Sequence, residues 1–174
     1  FMLARALLAR GDRPSAERLV REAWRSDSFS SDTEDTAFER FGTLLTPGDI
    51  KVRMDMLLYS GNNGEAALRS AKRLGSGHVA LAKARTALNG KASNAKALLA
   101  AVPSDLHNDP LYLFSKAQWL RREDKFIEAA RTMQAAPRDP ARLVNADEWW
   151  IERRPMARKL LDTNEPRTAY AVAR

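Results

Sequence analysis

The chain has 174 residues, 44% apolar and only 7% aromatic, with 29 basic against 22 acidic side chains and a formal net charge of +7. It has no cysteine, which excludes disulfides, thiolate catalysis and the usual structural zinc sites. No apolar run approaches the roughly 18 residues of a membrane-spanning helix, because Arg5 and Arg10 interrupt even the apolar opening segment.

Taken in chain order, the apolar periodicity predicts helices near 1–10, 14–26, 32–45, 48–60, 64–74, 77–89, 93–101, 110–122, 125–136, 140–144, 146–162 and 165–174, and no strand. The starts are well marked. Ser31 with Glu34 and Asn145 with Glu148 have capping-box spacing, and Thr46-Pro47-Gly48-Asp49 places a hydroxyl cap, a proline and an acid in order. Asp109-Pro110 and Asp139-Pro140 repeat the cap-then-proline pattern. The stretch Ser26 to Ser31 reads as the longest turn, and Pro155 is expected to kink or break its helix at Arg154.

An alanine follows a turn-forming residue by five positions at Gly11/Ala16, Gly61/Ala66, Gly90/Ala95, Asp124/Ala129 and Asn164/Ala169. Glycine, Asp or Asn supplies a left-handed residue that ends one helix, and the small alanine lets the next helix approach closely. The fold class that follows is all-α, a solenoid of degenerate, tetratricopeptide-like helical hairpins in one domain over residues 1–174. The gap between Ala16 and Ala66 has room for an additional helix.

Charge is uneven along the chain. Residues 51–100 carry nine basic and two acidic side chains, so the whole excess arises there. Arg53, Arg69, Lys72, Arg73, Lys83 and Arg85, with Lys91 and Lys96, are its main members, and on a concave wall they would attract an acidic polysaccharide or another polyanion. Solvated helix faces are the plainer interpretation of the same residues. A basic balance without a recognised nucleic-acid motif does not make the chain a nucleic-acid binder.

No catalytic residue, metal ligand or cofactor site emerges. His78 and His107 lack a neighbouring ligand set, and Ser104, Asp105 and His107 hold the letters of a hydrolase triad within one short loop. Gly61-Asn62-Asn63-Gly64 and Gly75-Ser76-Gly77 lack the strand and lysine of a phosphate loop and read as inter-helix turns. The acidic run Asp32, Glu34, Asp35 and Glu39 starts a helix, where it complements the macrodipole without being buried. Trp149 aligns with Met156 and Leu160, and Trp150 with Ala157 and Leu161, so both are expected to pack between helices.

The segment Asp147-Glu148-Trp149-Trp150-Ile151-Glu152-Arg153-Arg154, with Ala157 to Asp162 and Arg167 to Tyr170, resembles the superhelical region of bacterial soluble lytic murein transglycosylases. Phe41-Gly42, Leu44-Leu45-Thr46, Arg53-Met54-Asp55 and Leu57 to Gly61 resemble an earlier part of that region. Pro155 departs from the pattern. The resemblance implies a right-handed α-superhelix in a periplasmic protein that acts on peptidoglycan. In that family a separate lysozyme-like domain cleaves the β-1,4 bond between N-acetylmuramic acid and N-acetylglucosamine to a 1,6-anhydro product. Its catalytic glutamate lies in a Glu-Ser dipeptide, and none of the ten glutamates here precedes a serine.

The resemblance therefore transfers fold and setting but no catalytic residue. Both ends of the sequence fall inside helical patterns, and a piece of a longer protein is expected, its catalytic domain lying elsewhere. Its expected partner is the glycan strand, with Arg53, Arg69, Lys72, Arg73, Lys83 and Arg85 as candidate lining. The alternative is a tetratricopeptide-like scaffold for protein partners.

Overall fold

A computed structural model describes residues 1–26, 29–61, 63–139 and 143–174, whose regular secondary structure is all helical, with no strand among them. The elements are α1 Met2–Ala9, α2 Arg13–Ser26, α3 Ser31–Phe41, α4 Pro47–Tyr59, α5 Gly64–Leu74, α6 Ser76–Asn89, α7 Ala95–Ala100, α8 Pro110–Arg122, α9 Phe126–Gln134, α10 Ala146–Asp162 and α11 Pro166–Ala173. They divide into two compact units, Phe1–Gly75 and Ser76–Arg174.

Each alanine in the turn-plus-alanine grid belongs to a helical hairpin, the pairs being α1/α2, α4/α5, α6/α7, α8/α9 and α10/α11. Gly11, Gly61, Asp124 and Asn164 have positive φ, as the left-handed helix end requires. At Asn164 the end is a Schellman motif. The Asn164 amide bonds to the Leu161 carbonyl at 3.0 Å and the Glu165 amide to Leu160 at 2.8 Å. In the third hairpin the left-handed residue is Lys91, φ 51°, and Gly90 keeps the helical side of the turn. Ala16, Ala129 and Ala169 are buried as expected. In α5 the enclosed position is Ala67, with Ala66 half-buried.

In the first unit α2 packs on α4, and α3 occupies the predicted gap between hairpins. The α3 cap is Ser30 instead of Ser31, its side chain accepting from the Thr33 amide. The helix also ends earlier than its periodicity suggests. Thr46, preceding Pro47, must be extended, and a short 3-10 turn at Gly42–Leu44 joins it to Phe41. Thr46 and Asp49 then form the complete reciprocal capping box of α4. Trp24 stands at the centre of this unit, fully buried, with Phe29 and Phe38 rings at 6.1 and 5.7 Å.

In the second unit α6, α8 and α10 pack in succession, and α9 packs on both α10 and α11. Leu81, Leu88, Phe114, Met133, Met156 and Leu160 fill its interior. The unit also corrects two expectations. Helix α10 runs through Pro155 without the expected break at Arg154, the exposed ring only removing the amide that would bond to the Ile151 carbonyl. Trp149 is buried, meeting Phe114 edge-on at 5.1 Å, but Trp150 is 50% exposed and Leu161, about three turns further along the same helix, is exposed too. The Asp139-Pro140 start and the helix expected from 140 lie in part outside the described residues, as does part of the Ser26 to Ser31 turn.

Candidate functional site

The six predicted basic residues fall in both units. Arg53, Arg69, Lys72 and Arg73 belong to the first unit, Lys83 and Arg85 to the second. Arg53 on α4 and Arg69 and Arg73 on α5 converge on Glu34 of α3, a carboxylate with no exposed surface. Arg73 Nη1 donates to Glu34 Oε1 at 2.6 Å and Arg69 Nη2 to Oε2 at 3.0 Å, while Arg53 Nη2 lies 3.6 Å from Oε2. The second arm of Arg73 reaches Asp35 Oδ1 at 3.0 Å.

Aromatic faces complete this centre. The Arg53 guanidinium lies 4.4 Å from the Phe29 ring centroid and 5.1 Å from that of Trp24, and Arg73 lies 4.4 Å from that of Phe38. Burial pushes the Arg53 pKa down. Glu34 opposes that shift, and Arg69 and Arg73 add to it. Arg53 is only 2% exposed and stays a cation through Glu34 and the Trp24 carbonyl, to which its Nη1 donates at 3.0 Å. The expectation that the acidic run of α3 remains unburied is thus corrected at Glu34, which has no exposed surface and is met by three guanidinium groups.

A second buried carboxylate, Asp49, accepts from the Thr46 amide at 2.7 Å and from Arg25 Nε at 2.7 Å. Burial would raise its pKa, but the Thr46 and Arg25 hydrogen bonds and the Arg25 charge outweigh that and hold it below the ordinary carboxylate value. In the second unit Arg85, 2% exposed, donates to Gln118 Oε1 at 2.7 Å, and Gln118 Nε2 donates to Glu152 Oε2 at 3.1 Å. Arg121 completes the chain through a hydrogen bond to Glu152. A polar relay therefore ties α6, α8 and α10 together. Of the six candidates, Lys72 and Lys83 alone keep exposed side chains, whereas Arg53 and Arg85 face the interior.

The basic surface that sequence reasoning missed lies between α7 and α8. A groove of about 790 Å³ is lined by Lys91, Lys96, Trp119, Arg121, Arg122 and Glu123, among others. The Lys96 and Lys125 ammonium groups lie 5.7 and 5.6 Å from the Trp119 ring centroid. Arg122 Nη1 donates to the Leu88 carbonyl at 2.6 Å. Lys91 and Lys96 belong to the basic stretch recognised in the sequence. The signal for the rest is Trp119 two positions before Arg121-Arg122, a pairing that the Trp149-Trp150 tandem overshadows.

Ser104, Asp105 and His107 do remain in one loop, where the His107 ring stacks on Tyr112 at 4.5 Å. Among the described residues no group of three or more His, Cys, Asp or Glu side chains is placed to hold a metal ion, and no helix is long and apolar enough to cross a membrane. Compared with known proteins, the chain matches no protein-family model, no curated protein and no solved structure.

Proposed function

We propose that this chain is a non-catalytic helical domain of a periplasmic soluble lytic transglycosylase. In this reading it forms part of a right-handed superhelix and positions a peptidoglycan strand, or a partner, for a lysozyme-like domain elsewhere in the parent protein. The observation that carries the reading is the segment Asp147 to Arg154, whose Glu148-Trp149-Trp150 run is the most specific part of the resemblance. Its Trp149 and Glu152 are buried in α10, against Phe114 and on Gln118 and Arg121 respectively. Those two residues thus help to organise the second unit, while Trp150 stays exposed. That unit also carries most of the positive charge, 17 basic against 11 acidic side chains over residues 76–174, which suits a wall polymer rich in carboxylates.

The test is co-sedimentation of the purified chain with peptidoglycan sacculi at low and high salt, with released anhydromuropeptides assayed in the same tubes. Retention that salt abolishes, without product, supports the proposal. Release of anhydromuropeptides contradicts the non-catalytic role, and absence of retention contradicts the glycan-positioning role.

A second reading, a tetratricopeptide-like scaffold for a protein partner, is favoured by one specific feature. Trp150, Ile151 and Leu161 of α10 and Tyr170 of α11 are large apolar side chains that stay exposed. A partner would cover them, and a chain that ignores sacculi while binding a periplasmic protein through this face would meet that reading.

A further inference from the structure

The groove between α7 and α8 has a composition that its neighbours lack. Exposed Arg13 is paired with Glu17 at 3.1 Å. The lysines around Trp119 have no such partner beside them among the described residues. Lys96 and Lys125, from two separate elements, bring like charges to one indole, and among the described residues neither they nor Lys91 form an ion pair. The ring quadrupole attracts each ammonium but leaves its charge unneutralised, so an anion entering beside Trp119 meets positive charge.

Two of the remaining cations are held in place, Arg121 on Glu152 and Arg122 on the Leu88 carbonyl. An anion entering the groove therefore meets two guanidinium groups that need little further ordering. The volume of about 790 Å³ suits a ligand of one to a few rings. The half-buried indole offers a flat apolar surface. Glu123 and Ser93 add hydroxyl-binding oxygens, and Glu123 disfavours a continuous phosphodiester.

We propose that this groove binds a carboxylate-bearing saccharide. The apolar face of a pyranose ring lies on Trp119, its carboxylate is taken by Lys96, Lys91 and Arg122, and its hydroxyls reach Glu123 and Ser93. The location rests on the groove alone; the choice of a saccharide rests on the cell-wall reading above.

The test is a nitrogen-15 NMR titration of the 174-residue chain with three probes. They are the disaccharide N-acetylglucosaminyl-N-acetylmuramic acid, neutral chitobiose, and an oligothymidylate. The acidic disaccharide is expected to shift the Trp119 indole N–H and the Lys91 to Lys96 amides, with chitobiose at least about tenfold weaker, a carboxylate contact being worth a factor of that order. The exposed double variant Lys96→Glu/Lys125→Glu is expected to lose about tenfold or more in affinity with an unchanged thermal midpoint. Shifts that map elsewhere, equal affinity for chitobiose, or a double variant that binds as well as the parent overturn the proposal. Tighter binding of oligothymidylate in the groove overturns the ligand class. If sacculi retain the double variant as well as the parent, the groove is not the wall-binding site although the cell-wall reading stands. If sacculi do not retain the parent while the disaccharide still shifts Trp119, the cell-wall reading falls and the groove stands.

Discussion

Arg73 Nη1 donates to Glu34 Oε1 at 2.6 Å across 39 positions of sequence, and with Arg69 and Arg53 it gives the first unit a carboxylate enclosed by three guanidinium groups. Removing the central anion leaves cations together in a poorly solvated place. Glu34→Gln is expected to destabilise the first unit by about 3–5 kcal/mol, the usual cost of leaving a buried charge uncompensated. Urea unfolding followed by Trp24 fluorescence in a background lacking the other tryptophans would measure it. A loss below about 1 kcal/mol would mean that Glu34 is not what holds the three arginines.

Asp49 predicts an acid-sensitive step. Its folded-state pKa lies below the ordinary value of 3.8. Its contribution is therefore complete at pH well above 3.8 and is lost as pH falls through that value towards the lower folded pKa. Asp49→Asn keeps much of the cap but removes the charge, so the variant should show a flatter loss of stability below about pH 5 than the parent. Thermal midpoints measured from pH 7 to pH 3 give the comparison. Parallel curves would contradict the assignment.

The hairpins were legible because they depend on local chemistry. Gly11, Gly61, Asp124 and Asn164 announce left-handed helix ends, and Thr46 to Asp49 announces a cap, before any tertiary contact is considered. Pairings across long separations were not legible. Nothing near Glu34 in sequence shows that Arg69 and Arg73 return to it, and a run of cations looks the same whether it faces water or a buried acid. The Trp119 groove was hidden for the same reason, since it combines the α6–α7 turn with the far end of α8. Trp150 failed the opposite way. Its apolar neighbours Ala157 and Leu161 are on its face, but no helix of the second unit buries Trp150 or Leu161.

The turn chemistry is separable from packing at Asn164, which has φ 61° and an exposed side chain. Asn164→Gly should be neutral or slightly stabilising, whereas Asn164→Val should cost about 1–2 kcal/mol, the penalty for a branched residue in the left-handed region. Chemical denaturation of the pair decides this. Equal stability of the two variants would mean that the turn is not held in that conformation.

Pro155 lies inside α10 and has no amide to donate to the Ile151 carbonyl. Because it is exposed, Pro155→Ala restores a hydrogen bond to Ile151 without altering the buried face, and should stabilise the second unit by up to about 3 kcal/mol. A rise in the thermal midpoint is expected. A fall would show that the proline is required where it stands.

The most direct measurement of the central claim is the fraction of the chain retained on purified sacculi as salt is raised from about 10 mM to about 300 mM, a range over which the screening length contracts severalfold. A peptidoglycan-positioning domain predicts high retention at the low end and release as salt rises, with no anhydromuropeptide in the supernatant. A chain that stays in solution at the lowest salt would contradict the account.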